Sequence, residues 1–439
     1  MTHLLAVSRT PGVARLGGGG LLSEVGDWMM FIALPLFVLQ LTGSPLVTAT
    51  VFAVQLLPTV LVGPVAGVLV DWLDPWRLMA SVAAGQAVVL LGLLAVDTLA
   101  DLWLLYTVVV VQAVLSTVIE PCRAATAASL VPAEGLATVT TVLGVLSSSA
   151  RLVGGPLGGL ALGLTGIDGV LIAVVVLYLV SALTFALGGL HLGSPGGLPG
   201  RDRAEDINAE AAHRRASGNA VARLWDDWRE GLGVVARTPV LRRVMAVAAC
   251  AATAQGGFIV LFVLFVVRDL HGSETDVGVL RGVQAIGALA GGLLLGMLVT
   301  RCSPARLVSG SLAAFGGLSL LTWNGPALTT DLRVYVALFI AAGVPGLAAM
   351  TGLLTLLQTH SDPSTRGRVL SSFFAVFGGV QALGMLLAGL VGTGAGLTAA
   401  LQVQGILYLA AAALSLRIMK TPPVAAAPRR NHRPAPPPT

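Results

Sequence analysis

Long apolar runs dominate the chain, and short polar segments separate them. The runs are about 18 to 25 residues long, which is enough for a helix to cross a ~30 Å hydrocarbon core. Strands of a membrane barrel would instead alternate apolar and polar residues over about ten positions, and the runs here are continuous. Twelve spans are predicted, at 18–41, 46–70, 76–97, 102–120, 137–163, 168–190, 240–267, 277–300, 305–323, 331–358, 369–392 and 397–416. The pattern therefore predicts an all-α polytopic membrane protein.

Arginine positions orient these spans. All but one of the 26 basic residues are arginine. If the N-terminus is cytoplasmic, nearly all the arginines between spans fall on that side, and only Arg268 and Arg333 lie opposite. This positive-inside bias predicts an inner (plasma) membrane protein with both termini in the cytoplasm. The segment before Arg9 has no apolar core of its own, so we expect no cleaved signal peptide and the first span should remain as an anchor.

Composition excludes several classes of protein. With 55% hydrophobic and 11% charged residues, the chain is not a water-soluble domain. Its net charge of +5 follows from the orientation bias and requires no nucleic-acid partner. Cys122, Cys250 and Cys302 are scattered and lack metal-type spacing, so neither a disulfide nor a metal site is predicted.

Motifs of enzyme chemistry are missing as well. The sequence has no phosphate-binding loop ending in Gly-Lys-Ser/Thr, no His-Glu-x-x-His and no Gly-x-Ser-x-Gly. We therefore expect no enzyme activity, no catalytic residue and no cofactor, and an ion gradient rather than ATP as the energy source. The predicted partners are the lipid bilayer, a small-molecule substrate and protons.

An internal repeat divides the spans into two sets. A shift of 229 positions aligns 41–78 with 270–307 without a gap, and twelve of the 38 positions are identical. The identities include Gly43 with Gly272 and Pro75 with Pro304, which chance similarity between apolar helices would rarely align. A duplicated six-span unit in parallel orientation is the simplest explanation. Because one chain contains both halves, a monomer should be sufficient.

The repeat and the composition together predict four segments. They are an N-terminal six-helix half (1–190), a cytoplasmic linker with an amphipathic helix (191–237), a C-terminal six-helix half (238–418) and a disordered, basic, proline-rich tail (419–439). In the linker, apolar residues from Val221 to Val235 recur at helical spacing opposite a charged face, which is typical of a helix at the membrane surface.

Several stretches resemble the major facilitator superfamily, and the resemblance covers nearly the whole chain apart from linker and tail. "GVLVDWLDPWR" at Gly67 is similar to the loop between that family's second and third helices. "GDWMMFIALPLFVLQLTGSP", "EPCRAATAASLVPAE", "RLVGGPLGGL" and "STRGRVLSSFF" resemble the branch that contains macrolide and siderophore exporters. The resemblance implies the major facilitator fold, with twelve transmembrane helices as two six-helix halves.

An exporter-like element stands in the fifth span. It consists of Gly154, Gly155, Pro156, Gly158 and Gly159, with the proline one position later than is usual. This resemblance favours export over import.

The loop that resembles the family's second-to-third helix connection carries charge in an apolar region. The resemblance implies that Gly67, Asp71, Arg77 and, from the fourth span, Glu120 form a cytoplasmic latch between the halves, made only in the outward-open state. The alternative is a solvated loop with ordinary surface charge.

Charges inside the spans are rare and costly, at ~2.5–3.5 kcal/mol or more for each Asp or Arg at mid-bilayer. Asp27 and Arg151 each lie about ten residues into their spans, so at ~1.5 Å per residue their depths nearly coincide and they are predicted to face each other. Glu24 shares a helical face with Asp27. Neighbouring carboxylates disfavour joint ionisation, so one of them can hold a proton, which suits proton-coupled antiport. The alternative is a fixed Asp27–Arg151 salt bridge that locks helix packing.

Four further side chains are candidates for a substrate cavity. The resemblance implies that spans 1, 4, 7 and 10 line it, which singles out Asp27 again and, in addition, Gln112, Gln255 and Gln358. Arg281 either attracts an anionic group of a substrate or pairs with Asp269, Glu274 or Asp276 near the external surface. The sequence thus favours a proton-coupled exporter of small hydrophobic or amphipathic, macrolide-like compounds. A siderophore or metabolite exporter and a transport-inactive scaffold or sensor are the alternatives.

Overall fold

The computed structural model describes residues 10–56, 73–192, 220–298, 303–362, 365–391 and 396–419. Every regular element in these residues is helical, which confirms the all-α prediction. The N-terminal half comprises α1 (Pro11–Thr42), α2 (Pro45–Leu56), α3 (Pro75–Leu90, followed by a 3-10 turn at Leu91–Ala95), α4 (Leu102–Leu130), and α5 and α6, which share the run Ala133–Leu192.

Gly166 separates α5 from α6. Its φ of 70° and ψ of −172° are non-helical and lie where a glycine pays little steric cost. The break falls in the interval 164–167 that the hydropathy pattern left between the fifth and sixth spans. Gly43 ends α1 in the same way, with a left-handed φ of 62° at the helix C-cap.

The C-terminal half follows the linker helix α7 (Ala220–Arg237). It comprises α8 (Pro239–Leu264, followed by a π-helical turn at Phe265–Asp269), α9 (Glu274–Leu298), α10 (Pro304–Asn324), α11 (Leu332–Thr359), α12 (Arg366–Val391) and α13 (Leu397–Met419). Within the described ranges, nine helical stretches are long and apolar enough to cross a membrane. One of these stretches, Thr138–Leu190, contains both α5 and α6, so the nine stretches hold ten helices. Together with α2 and α9, these helices form two sets of six. The chain is therefore a multi-pass membrane protein.

Two helices are longer than the spans predicted for them. α1 begins at Pro11 rather than at 18, and α4 continues to Leu130 rather than ending at 120. Hydropathy detects only the part of a helix that is apolar enough for hydrocarbon, whereas a helix can continue where its polar residues find partners inside the protein. Pro121 lies inside α4, although a proline often marks a helix end.

The helix caps preserve the internal repeat. The Asp74 carboxylate caps α3 by accepting hydrogen bonds from the backbone N–H of Trp76 (2.9 Å) and Arg77 (3.1 Å). Ser303, 229 positions later, caps α10 by accepting from the backbone N–H of Arg306 (3.4 Å). A short polar side chain before Pro-x-Arg therefore begins the third helix of each half. Helix capping therefore explains the presence of Asp74, one of the two aspartates in the stretch "GVLVDWLDPWR".

A helix, α7, lies where the sequence predicted one in the linker, and it packs against α12. Its position at the membrane surface stays a prediction. Glu230 on α7 forms an ion pair with Arg368 on α12. Gly231 allows the two backbones to approach closely, because a Cβ atom there would lie 2.5 Å from the carbonyl oxygen of Arg368. Val235, on the apolar face of α7, is buried.

The two halves touch at the end of the molecule where α1 finishes and α9 begins. α5 packs along α9, and Gln40 of α1 donates a 2.8 Å hydrogen bond to Glu274 at the start of α9. α2 meets α12 at the same end, where a Cβ atom on Gly389 would lie 3.1 Å from the Cα atom of Leu46.

Candidate functional site

Glu24 is the centre of a buried polar network in the N-terminal half. Its carboxylate forms an ion pair with Arg123 of α4 and accepts a 2.8 Å hydrogen bond from the Ser147 hydroxyl of α5. The side chains of Arg123 and Glu24 are 5% and 18% exposed. Gly20 leaves room for the guanidinium, because a Cβ atom there would lie 3.0 Å from the Arg123 Cζ atom. Removing either partner of such a buried pair leaves the other charge without compensation and strongly destabilises the fold.

Asp27 lies one helical turn further along α1 and has a different partner. Its carboxylate accepts a 2.6 Å hydrogen bond from the Tyr178 hydroxyl of α6. Gly26 lies close to the same helix, since a Cβ atom on that residue would lie 3.1 Å from the Val174 Cγ1 atom. Glu24 is thus held by α4 and α5, and Asp27 is held by α6.

The structure does not bring Asp27 and Arg151 together as their equal depth predicted. The Arg151 guanidinium instead lies 4.5 Å from the centre of the Trp28 ring, at a distance typical of a cation–π contact. Equal depth along two helices does not fix which way each side chain points around its helix axis. Trp28 follows Asp27 directly, and adjacent positions in a helix point in different directions.

Arg123 is a residue of this polar network that sequence reasoning missed. Hydropathy ended the fourth span at 120 and grouped Arg123 with the cytoplasmic arginines, whereas the structure buries it inside α4. The burial is energetically acceptable because Glu24 supplies the opposite charge. Tyr178 was missed too, although the chain has only four tyrosines and this one stands in the middle of an apolar span.

A cavity of about 350 Å³ lies at the junction of the two halves. α5 contributes Arg151, and the other described lining residues belong to the C-terminal half. Its polar groups are Arg151, Gln255, Arg281, Gln284 and Tyr408. Of the four candidate cavity residues, Gln255 and Arg281 line this cavity.

The other two predicted cavity glutamines lie elsewhere. The Gln112 side chain donates a 2.8 Å hydrogen bond to the Gln86 carbonyl oxygen, which ties α4 to α3. Gln358 is exposed near the end of α11 and is not among the described lining residues. Glutamines in membrane helices often join neighbouring helices in the manner of Gln112.

Arg281 points into the cavity rather than to the external acidic residues. Its guanidinium donates a 2.8 Å hydrogen bond to the Gln284 side chain. Two of the three predicted acidic partners are engaged elsewhere, since Glu274 accepts from Gln40 and Asp276 accepts from Ser273.

The glycines of the exporter-like element lie at two helix interfaces. Gly154 and Gly158 face α1, where added Cβ atoms would lie 2.7 Å from the Val25 carbonyl oxygen and 2.7 Å from the Met29 Cα atom. Gly155 and Gly159 face α9, where a Cβ atom on Gly155 would lie 3.2 Å from the Gly278 carbonyl oxygen. Pro156 packs against Gly282 of α9. The element allows α5 to fit closely between α1 of its own half and α9 of the other.

The predicted latch lies partly outside the described residues, because neither Gly67 nor Asp71 is within them. Arg77 is exposed in the first turn of α3. Glu120 lies 3.5 Å from the Arg123 guanidinium, with its side chain 81% exposed. The role of these residues as a latch stays a prediction.

Comparison with known proteins adds the family context. A sequence model described as the Major Facilitator Superfamily matches residues 16–264 and 244–439. An uncharacterized MFS-type transporter, y4rN, of Sinorhizobium fredii (strain NBRC 101917 / NGR234) is 26% identical over 424 residues, which cover 94% of this chain and 96% of that protein. A second uncharacterized MFS-type transporter, YfiS of Bacillus subtilis (strain 168), is 30% identical over 139 residues, which cover 31% of this chain and only 33% of that protein.

A solved structure has the same architecture. The crystal structure of a bacterial homologue of the iron transporter ferroportin in an inward-facing state aligns with a TM-score of 0.68 and 16% sequence identity. The alignment covers 93% of this chain and 99% of that one. At this identity, the similarity concerns the fold alone.

Proposed function

Since this chain belongs to the Major Facilitator Superfamily and is a membrane transporter, we propose that it exports small hydrophobic or amphipathic compounds in exchange for protons. The observation that carries the proposal is the pair of carboxylates in α1, Glu24 and Asp27, each engaged by a different helix. Carboxylates inside a membrane domain are costly and often mark proton pathways.

Protonation of Glu24 provides a physical link between proton binding and helix movement. A proton on Glu24 removes the negative charge that accompanies buried Arg123. A buried charge that loses its partner is strongly destabilising, so the helices that hold it must rearrange or admit water. Arg151 lies at the cavity, and Ser147, one turn earlier on the same helix, donates to the Glu24 carboxylate, so α5 connects the ion pair to the cavity.

Alternating access is supported by the contact between α5 and α9. Small residues allow close backbone contact between the halves at one end, and the cavity starts beside that contact, at Arg151 and Arg281. Arginine asymmetry makes the N-terminal end of α1 cytoplasmic, so the end where the halves touch would be external. The described state then corresponds to an inward-facing transporter, which is also the state of the aligned ferroportin homologue. Rocking of two halves around a midplane site is the usual mechanism for folds built from repeats.

An apolar wall favours hydrophobic or amphipathic compounds. The lining includes Leu312, Phe315, Met350, Leu353 and Phe377. Such surfaces bind the hydrocarbon or aromatic part of a substrate, while a few polar groups fix its orientation.

The test uses purified protein in liposomes with an imposed pH gradient and a trapped pH-sensitive dye. Erythromycin, ethidium, desferrioxamine and 1-anilinonaphthalene-8-sulfonate represent macrolides, cationic dyes, siderophores and amphipathic anions. Substrate-dependent proton movement in the wild type that Asp27→Asn abolishes would support proton-coupled export. Asp168→Asn, which changes an exposed aspartate at the start of α6, is the matched control and should transport normally. Absence of proton movement with every compound, in vesicles that contain folded protein, would contradict the proposal.

A further inference from the structure

The cavity between the halves contains two arginines and, among the described residues that line it, no aspartate or glutamate. Arg151 enters from α5 and Arg281 from α9. Both residues line the same cavity, so each adds a positive charge to it. Like charges at a membrane-embedded site are costly unless an opposite charge accompanies them.

The contacts of Arg281 do not supply that opposite charge. The residue is 9% exposed, and its guanidinium donates to the side-chain oxygen of Gln284 at 2.8 Å. The Phe31 and Phe258 rings lie with their centres 5.7 Å and 5.2 Å from its Cζ atom. An amide and two aromatic faces orient a guanidinium and attract it, but they carry no net charge.

The contacts of Arg151 lead to the same conclusion. Its guanidinium lies over the neutral Trp28 ring, and the residue is exposed to the cavity. The nearest acidic residue that bonds to α5 is Glu24, through Ser147, and its carboxylate is already paired with Arg123. The described lining of the cavity therefore carries an excess of positive charge.

We propose that Arg151 and Arg281 bind the anionic group of an amphipathic substrate, such as a carboxylate, a sulfonate or a phosphate. Guanidinium groups bind these anions through paired, charge-assisted hydrogen bonds. The apolar wall then receives the rest of the molecule. Because Arg151 and Arg281 belong to opposite halves, a bound anion also links α5 to α9 beside their contact. This inference rests on the proposed function, since it names the substrate class of the same cavity.

The test compares two dyes with the same ring system and different charge. 1-Anilinonaphthalene-8-sulfonate carries a sulfonate, and N-phenyl-1-naphthylamine lacks it. Equilibrium dialysis measures binding to the full-length protein in phosphatidylcholine nanodiscs, with empty nanodiscs as the blank. The sulfonate should bind saturably, and Arg281→Gln or Arg151→Gln should weaken its binding by at least about tenfold. Arg281→Lys keeps the charge and should retain part of the affinity.

Two controls separate charge recognition from damage to the fold. Binding of the neutral dye should be unchanged in every variant, which also verifies that the variants are folded. Arg333→Gln, an exposed arginine at the start of α11, should leave sulfonate binding unchanged. If Arg281→Gln does not fold, then Arg151→Gln and Arg281→Lys decide the question.

Sulfonate binding that neither arginine affects would overturn the proposal, as would an equal loss of neutral-dye binding in folded variants. Nanodiscs with phosphatidylglycerol distinguish a lipid headgroup from a soluble substrate. If the anionic lipid abolishes sulfonate binding, the arginines bind lipid and the substrate assignment is wrong.

Because this binding assay uses no gradient, failure of the liposome assay with sulfonate binding intact would contradict proton-coupled export and leave the anion site standing. Substrate-dependent proton movement without sulfonate binding would contradict the anion site and leave proton-coupled export standing.

Discussion

Arg123 of α4 and Glu24 of α1 form an ion pair in the interior of the N-terminal half, and Ser147 of α5 completes it with a hydrogen bond to the same carboxylate. The pair joins three helices through one carboxylate. Glu120 approaches the same guanidinium from the surface at 3.5 Å, with a side chain that is 81% exposed. The two acidic partners of Arg123 therefore differ in burial, which allows a direct comparison of their contributions.

Glu24→Gln should reduce the free energy of unfolding by about 3–5 kcal/mol, because it leaves the Arg123 charge buried without its partner. Glu120→Gln should cost less than about 1 kcal/mol, because water screens the exposed carboxylate. Reversible unfolding in mixed micelles measures both. Equal losses for the two variants would show that the buried pair has no special role in stability.

Tyr178→Phe removes the hydroxyl that donates to Asp27. Because a hydrogen bond to an ionised group contributes more than one between neutral groups, the loss should be about 1.5–3 kcal/mol. Tyr335→Phe is the matched control, since that hydroxyl donates to the neutral carbonyl oxygen of Thr329 at 2.7 Å, and it should cost about 0.5–1.5 kcal/mol. The same unfolding measurement compares them. Similar losses would indicate that Asp27 is not ionised in the described state.

Gly159→Ala should impair transport by roughly tenfold, because the added methyl group forces α5 away from α9. A Cβ atom there would lie 3.2 Å from the Thr275 Cα atom and closer still to the Glu274 carbonyl oxygen. Gly163→Ala, one turn further along α5, is the control, because its Cβ atom would meet Glu274 and Thr275 side-chain atoms at an ordinary 3.8 Å. Liposome flux measures both variants. Normal transport by Gly159→Ala would mean that this contact tolerates separation.

Asp74→Ala and Ser303→Ala remove the equivalent caps of α3 and α10, and each should cost about 0.5–2 kcal/mol of stability. Thr238→Ala is the control, because Thr238 precedes α8 without making a side-chain cap hydrogen bond. Thermal unfolding distinguishes the three variants. A cost confined to one half would argue that the repeat no longer has equivalent roles in the two halves.

The helices could be predicted well from the sequence because the length and hydropathy of an apolar run are local properties. The Gly166 break and the equivalent caps at Asp74 and Ser303 follow from residue type and spacing in the same way. These features need no knowledge of which helices become neighbours.

The pairing of charges between helices could not be predicted in this way. Asp27 and Arg151 were matched by depth, yet the partner of Asp27 is Tyr178, because rotation about each helix axis decides which side chains meet. Arg123 follows Pro121, and the local sequence resembles a helix end. Its burial depends on Glu24, which lies almost a hundred residues earlier in the chain and gives no local signal.

The most direct test of the coupling between carboxylates and alternating access is a distance measurement across the end where the halves touch. Spin labels at Asp168→Cys and Leu328→Cys, exposed sites on the two halves, report its opening by double electron–electron resonance in nanodiscs once the native cysteines are replaced. A proton on Glu24 would remove the charge that Arg123 pairs with, so the account predicts that low pH increases the longer-distance population. In Glu24→Gln/Asp27→Asn, the ratio of populations should no longer depend on pH. A single distance at every pH in the wild type, or the same pH dependence in the double variant, would contradict the account.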